Sequence, residues 1–463
     1  MGEMPLRRGS VDECEPGPPL ILLPAQWRAR ILWNIAHRAR GESAFLFEAL
    51  MLANVVAYAY HVLMARMLSP ADYGTVVTLT SISYVLDVVV RTVQAGLTKT
   101  VAAAKEKSGE RARHAFTLAM RTVVALAGVT LVSAFLAGRW AAGFLHLDAA
   151  TPVILLGAYA SLTFLGPVPR GVLLGLNRLH RASVSIILEP VGRLIVGVAF
   201  VAYGLRVDGA LIGYAMGSLL ALAIAWVLLW PLLAKTADRE SETSSLEGMD
   251  RYAALVLLAN ICLMVMASID QVVVKHFFSI DEAGNYAVAF VLGRVILMGA
   301  ISLGIVVFTR STAMHPTDPR RAMVLAKGLL AMGAIAGTAT AVSLAAPTSI
   351  VRLIAGSQYA SAHTFVGLVG VEMTLFGLVY VQAYYHLSLG KMQVVWPLFL
   401  ASALAVALLV QFHASIQQVL TILISVMGAL LICVSALSWR DVRAARRQTA
   451  VVLPEPPQGI AGS

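Results

Sequence analysis

Apolar residues in this chain neither alternate with polar ones nor keep to one helical face. From about residue 44 to about residue 439 they fill runs of roughly twenty, separated by mostly short polar segments. Rich in Leu, Ala, Val and Gly, each run is long enough to cross the roughly 30 Å hydrocarbon core of a bilayer as a helix, whereas a barrel strand needs only about ten residues. The pattern predicts spans at 44–66, 75–97, 115–137, 152–175, 183–203, 210–231, 252–275, 284–309, 323–345, 364–387, 392–412 and 418–438. The expected fold class is an all-α polytopic membrane protein of about 12 transmembrane helices.

The flanks read differently. Residues 1–24 hold Pro16, Pro18, Pro19 and Pro24 and no periodic apolar face, the mark of a disordered tail. In residues 25–43, Trp27, Ile31 and Ile35 recur at helical spacing beside Arg28, Arg30, Arg38 and Arg40, which predicts a basic helix lying on an anionic leaflet. This basic lead runs directly into a full-length span, unlike a cleavable signal peptide. Residues 232–251 form a polar linker and residues 440–463 a basic tail, so the expected lobes are 44–231 and 252–439.

Lys and Arg crowd the N-terminal flank, the alternate connections that begin with Lys99, Lys105 and Arg111, and the C-terminal tail with Arg440, Arg443, Arg446 and Arg447. The opposite connections hold only Arg139, Arg206 and Arg352. By the positive-inside rule both termini are expected in the cytoplasm, and the protein in the cytoplasmic (inner) membrane.

Composition agrees: 59% of residues are hydrophobic and 13% charged, which excludes an aqueous fold. The net charge of +10 then reads as topology rather than a groove for nucleic acid. The 3 cysteines, Cys14, Cys262 and Cys433, make neither a disulfide framework nor a zinc site, and no metal or cofactor is expected. Without a phosphate-binding loop sequence, nucleotide-driven pumping would need another subunit. The longest distal connection, about residues 346–363, is too short for a catalytic domain, which speaks against a membrane enzyme such as a polymerase.

The end of the first span reads Ala65-Arg66-Met67-Leu68-Ser69-Pro70-Ala71-Asp72-Tyr73-Gly74, and the end of the seventh echoes it in Lys275-His276-Phe277-Phe278-Ser279-Ile280-Asp281-Glu282-Ala283-Gly284-Asn285-Tyr286. In each a basic residue closes a helix, and Ser, an acid, Gly and Tyr open the next. A duplicated six-helix unit accounts for the echo, with the halves related by a pseudo-two-fold axis along the membrane normal and a cleft between them. Two such bundles can rock and expose a midplane site to each side in turn.

With these motifs, and Ser268-Ile269-Asp270-Gln271-Val272-Val273-Val274-Lys275, the chain resembles the multidrug, oligosaccharidyl-lipid and polysaccharide exporter superfamily, in its polysaccharide (O-antigen-type) flippase-like branch. The resemblance implies alternating-access transfer of a polyprenyl-diphosphate-linked oligosaccharide or polysaccharide precursor, with a glycan polymerase or glycosyltransferases as neighbours. A cation-coupled small-molecule or multidrug exporter of the same superfamily is the alternative. Lipid II flippases of the superfamily usually carry two further helices that are not found here.

Charges within spans are costly and point inward or to one another. Arg193, Arg294 and Arg91 are the candidate diphosphate ligands, since guanidinium forks match phosphate oxygens. Glu372, with no base on its own span, and Asp87 are candidate sites for a coupling ion, H⁺ or Na⁺. The competing structural reading pairs Asp87 with Arg91, Glu189 with Arg193 and Asp270 with Arg294. Glu48, Arg66, Arg170 and Lys275 are expected to snorkel at span ends. Pro167, Pro169 and Pro190 should bend spans four and five, and Tyr380, Tyr384, Tyr385 and His386 form either an interfacial belt or a sugar-stacking surface.

Overall fold

The computed structural model describes residues 25–107, 109–233, 250–312, 314–315, 318 and 320–452, and all of its regular structure is helical. The first part of the chain forms α1 (Ala25–Met67), α2 (Pro70–Lys107), α3 (Gly109–Phe144), α4 (Thr151–Leu165), α5 (Pro167–Gly175), α6 (Leu179–Phe200) and α7 (Arg206–Leu233). The second forms α8 (Asp250–Met266), α9 (Ile269–Phe277), α10 (Ile280–Thr312), α11 (Arg320–Ala345), α12 (Pro347–Ile354), α13 (His363–Ser388), α14 (Val395–Gln411) and α15 (Ile416–Val452). The tail 1–24 and most of the linker 232–251 lie outside the described residues. Helix α1 passes residue 43 without a break, and α15 continues to Val452, well beyond the expected span.

Among the described residues 10 helices are long and apolar enough to cross a membrane, or 11 if the bent pair α8 and α9 is one span. Two local features separate this count from the expected twelve. Spans five and six lie in one 53-residue apolar run, Leu179–Pro231, far longer than one crossing requires. It folds back at the π-helical turn Val201–Leu205, where Gly204 takes φ 92° and Arg206 φ 44°. The returning α7 lies antiparallel on α6: Ser185 Oγ donates to the Ala221 carbonyl and Arg181 to that of Leu228, while a Cβ on Gly213 would stand 2.6 Å from Gly197 Cα. The second feature is the 42° bend between α8 and α9.

Pro167 and Pro169 divide span four into α4 and α5 around Gly166, because a proline lacks the N–H that would continue the ladder. Pro190 leaves α6 continuous. The connection expected as loop around 346–363 holds the amphipathic α12 and a 3₁₀ turn, Ser357–Ala362.

The repeated motif forms two helix caps. Ser69 Oγ bonds Asp72 and receives its backbone N–H, starting α2; Ser279 and Glu282 form the reciprocal capping box that starts α10. Across the halves Gly74 and Gly284 face each other so closely that a Cβ on Gly284 would sit 2.1 Å from the Pro70 carbonyl oxygen.

This contact lies on the distal face, opposite the start of α1 and the end of α15. More bonds join the halves there. Lys275 Nζ donates to Thr75 Oγ1 at 3.0 Å, Gln271 donates to Thr78 Oγ1 at 2.9 Å, and His276 stacks on Phe144 with centroids 4.0 Å apart. Arg66 donates to the Ile354 and Leu353 carbonyls at the end of α12, and Gln358 donates back to Ala65 and Leu68 at the end of α1. Lys275, expected to snorkel, is 3% exposed and spent on this joint.

Candidate functional site

Deeper than the distal joint, α6 and α10 each carry a largely buried arginine, one in each half. Arg294 on α10 is 6% exposed and lies 4.2 Å from the centroid of Tyr84 on α2, with Phe290 at 4.5 Å on its own helix. Arg193 on α6 lies within electrostatic range of the same Tyr84, and both arginines lie within that range of His61 on α1. Each has a buried Nε–H without a protein partner. A buried guanidinium with unspent donors can take an anion's oxygens without first breaking all of its own bonds.

Arg193 is set by neighbours the charge pattern did not reveal. Its guanidinium lies 4.0 Å from the Tyr214 centroid, and Tyr60 and Tyr159 meet Tyr214 edge-on at 5.2 and 5.0 Å. Tyr60 donates to the Ala210 carbonyl, and Tyr214 shares a 3.3 Å hydrogen bond with His61. This aromatic enclosure holds a cation away from lipid. Its sequence signal was ambiguous, because Tyr60, Tyr159 and Tyr214 lie about four to seven residues from a predicted span end, where an interfacial belt reads equally well.

Glu189 does contact Arg193, at 3.5 Å, yet its shorter partner is Arg170 at 2.7 Å. Arg170, expected to snorkel, instead bonds Ser185 and Glu189 from the proline-started α5. Glu189 is therefore shared, and Arg193 is not fully neutralised by it.

Two other expected pairings change. Arg294 bonds Ser268 Oγ at 2.9 Å rather than Asp270, whose carboxylate accepts from Tyr286. The reason is the break at Ala267 and Ser268, which turns Ser268 toward Arg294 and starts α9 with Asp270 in its first turn. Asp87 and Arg91 form no contact ion pair among the described residues. Arg91 is exposed on α2, and Asp87 lines a crevice with Ser83, Leu86, Val90, Tyr159, Ala160, Thr163 and Phe164.

Glu372 on α13 is fully buried, and neither carboxyl oxygen has a hydrogen-bond partner. Asp270 and Arg294 are within electrostatic range of it, so the second half carries two acids beside one arginine. Among the described residues no three His, Cys, Asp or Glu side chains cluster as a metal site.

The aromatic group on α13 is internal rather than a belt. Tyr380 stacks on Tyr384 at 4.5 Å, Tyr384 donates to Asn260, and buried His386 meets Ser438 and Asp441 of α15. The large flat rings face helices because α10 and α15 pack on that side of α13.

Comparison with solved structures places this geometry in a known fold. An inward-facing multidrug resistance MATE family transporter of the MOP superfamily superposes with TM-score 0.64 at 13% identity, over 86% of this chain and 96% of that one. Lipid II flippase MurJ in an inward closed conformation gives 0.62 at 11% identity, over 89% and 93%. The MATE multidrug transporter DinF-BH gives 0.62 at 15%, over 86% and 95%. The search of curated proteins gives no match. The polysaccharide biosynthesis protein family matches residues 42–314, more than half of the chain, so this multi-pass protein belongs to the polysaccharide biosynthesis protein family.

Proposed function

We propose that the protein is a flippase that carries a polyprenyl-diphosphate-linked glycan precursor across the cytoplasmic membrane, by alternating exposure of a site between twin six-helix halves. The observation that carries this reading is a largely buried arginine in each half, Arg193 against Tyr214 and Arg294 against Tyr84 across the halves, each with an unspent Nε–H. A diphosphate there would engage both halves, and its binding energy would favour the arrangement in which they approach. Its prenyl tail stays in lipid while the cations offset desolvation of the phosphates. Arg91, exposed on the same helix as Tyr84, would receive the headgroup first.

The family match and the fold shared with a lipid II flippase support a lipid-linked glycan; the transporter neighbours support transport rather than catalysis. The distal face is the outer one in this reading, with polymerase or glycosyltransferase neighbours on the membrane. The alternative, cation-coupled export of a small molecule, is favoured by Glu372, buried without a partner near Asp270. In the flippase the same acids would carry the coupling H⁺ or Na⁺, with Asp87 as the counterpart in the first half.

The test is transfer of a fluorescent prenyl-diphosphate sugar in proteoliposomes, read by protection from a membrane-impermeant quencher. Charge-assisted hydrogen bonds are each worth about 1.5–3 kcal/mol, so Arg193→Ala and Arg294→Ala should each slow transfer at least about tenfold. Transfer at the wild-type rate in both variants would refute the assignment; export of a cationic dye without any glycan transfer would favour the alternative.

A further inference from the structure

We infer that the distal face carries a separate binding site for the phosphate group of a lipid, formed by Arg66, Arg352, Thr348 and Ser349. These four residues and Leu353 line a cavity of about 410 Å³ where the end of α1 meets α12. The positive charge is unusual for its place. The distal connections hold few basic residues, and yet two guanidinium groups share this cavity with no carboxylate paired to either among the described residues. Like charges in a common cavity are stabilised by an anion between them.

The donors are unspent. Neither the Arg352 guanidinium nor the Thr348 and Ser349 hydroxyls hydrogen-bond to another described residue. Arg66 uses Nε and one Nη for the α12 carbonyls and keeps its other Nη free. Thr348 and Ser349 stand in the first turn of α12 and Arg352 one turn further on, so two hydroxyls and a fork project from one helical face. That set suits tetrahedral phosphate oxygens better than a flat carboxylate. Exposed Leu353, at 74%, offers an apolar contact for a chain attached to the phosphate.

The site also touches the joint between the halves. Arg66 holds α12 to α1 through Nε and one Nη, so a phosphate taken by its other Nη engages a residue of the distal joint without breaking the bonds to Leu353 and Ile354. Phosphate binding here stands without the central transport reading; only a role for it in transport rests on that reading.

The experiment uses the full chain in detergent and measures binding of farnesyl diphosphate, phosphatidylglycerol and inorganic diphosphate. Arg352→Gln, an exposed change that leaves the fold intact, should weaken binding of the preferred probe about tenfold, and Thr348→Val with Ser349→Ala should weaken it further. Preference for farnesyl diphosphate assigns the site to a prenyl carrier, and preference for phosphatidylglycerol to a bilayer lipid. Inorganic diphosphate binding as tightly as either would overturn the lipid assignment. Unchanged binding of all three probes in the Arg352 and hydroxyl variants overturns the site. Arg193→Ala and Arg294→Ala serve as the contrast: they should leave distal binding intact even if they abolish transfer, which separates failure of this site from failure of the central one.

Discussion

Replacing Gly284 by alanine should drive the distal halves apart. The new Cβ would lie 2.1 Å from the Pro70 carbonyl oxygen and 2.4 Å from its carbonyl carbon. An ordinary carbon-to-oxygen contact is about 3.3 Å, so the starts of α2 and α10 must separate by about 1 Å. Both are capped helix starts, and the clashing atom is backbone, so no rotamer change relieves it. The Thr75 hydroxyl that receives the buried Lys275 lies one residue from Gly74 and shifts with it. Overpacking of this kind costs about 1–3 kcal/mol. If the halves part here during transport, that cost falls only on the distally closed state, and a shift of about 5–150-fold toward the distally open state follows. Spin labels at Met67→Cys and Ile280→Cys, both on exposed positions, would read it in a background with Cys14, Cys262 and Cys433 replaced by alanine. The distance distribution should lengthen in Gly284→Ala, and less in Gly74→Ala, whose Cβ meets Gly284 at 2.9 Å. An unchanged distribution with a lower melting temperature would show a static interface and refute the reasoning.

Three further outcomes follow from the packing. Glu189→Ala strands Arg170 and Arg193 and should cost roughly 3 kcal/mol, seen as a lower melting temperature in detergent, with Glu189→Gln intermediate because it keeps an acceptor. Gly213→Leu should destabilise the α6 and α7 hairpin by about 1–3 kcal/mol in the same assay, since even its Cβ meets Gly197 backbone at 2.6 Å. Glu372→Gln replaces a buried carboxyl that has no hydrogen bond to lose, so the melting temperature should not fall, while the dependence of transport on an ion gradient should disappear; a retained dependence would exclude Glu372 as the coupling group.

Much of the architecture was legible because a bilayer imposes one rule on every crossing: about twenty apolar residues with internally paired backbone. Hydropathy therefore located the helices, and the Ser-acid-Gly-Tyr echo marked two helix starts that the fold places against each other. Insertion cost likewise singled out Arg193, Arg294 and Glu372 as groups that had to turn inward. Partner choice was not legible, because spacing along one helix reports only one face of it. Arg170 reaches Glu189 from a different helix, and Tyr286 rather than Arg294 takes Asp270 because the chain bends at Ser268, which carries no proline or glycine signal. The contact of Tyr60 with Tyr214 in the enclosure of Arg193, and the seat of Arg294 on Tyr84, join residues more than a hundred positions apart. Sequence alone determined which segments leave water and which charges they take along; the packing of one helix against another, a long-range balance of close contacts, decided what each charge meets.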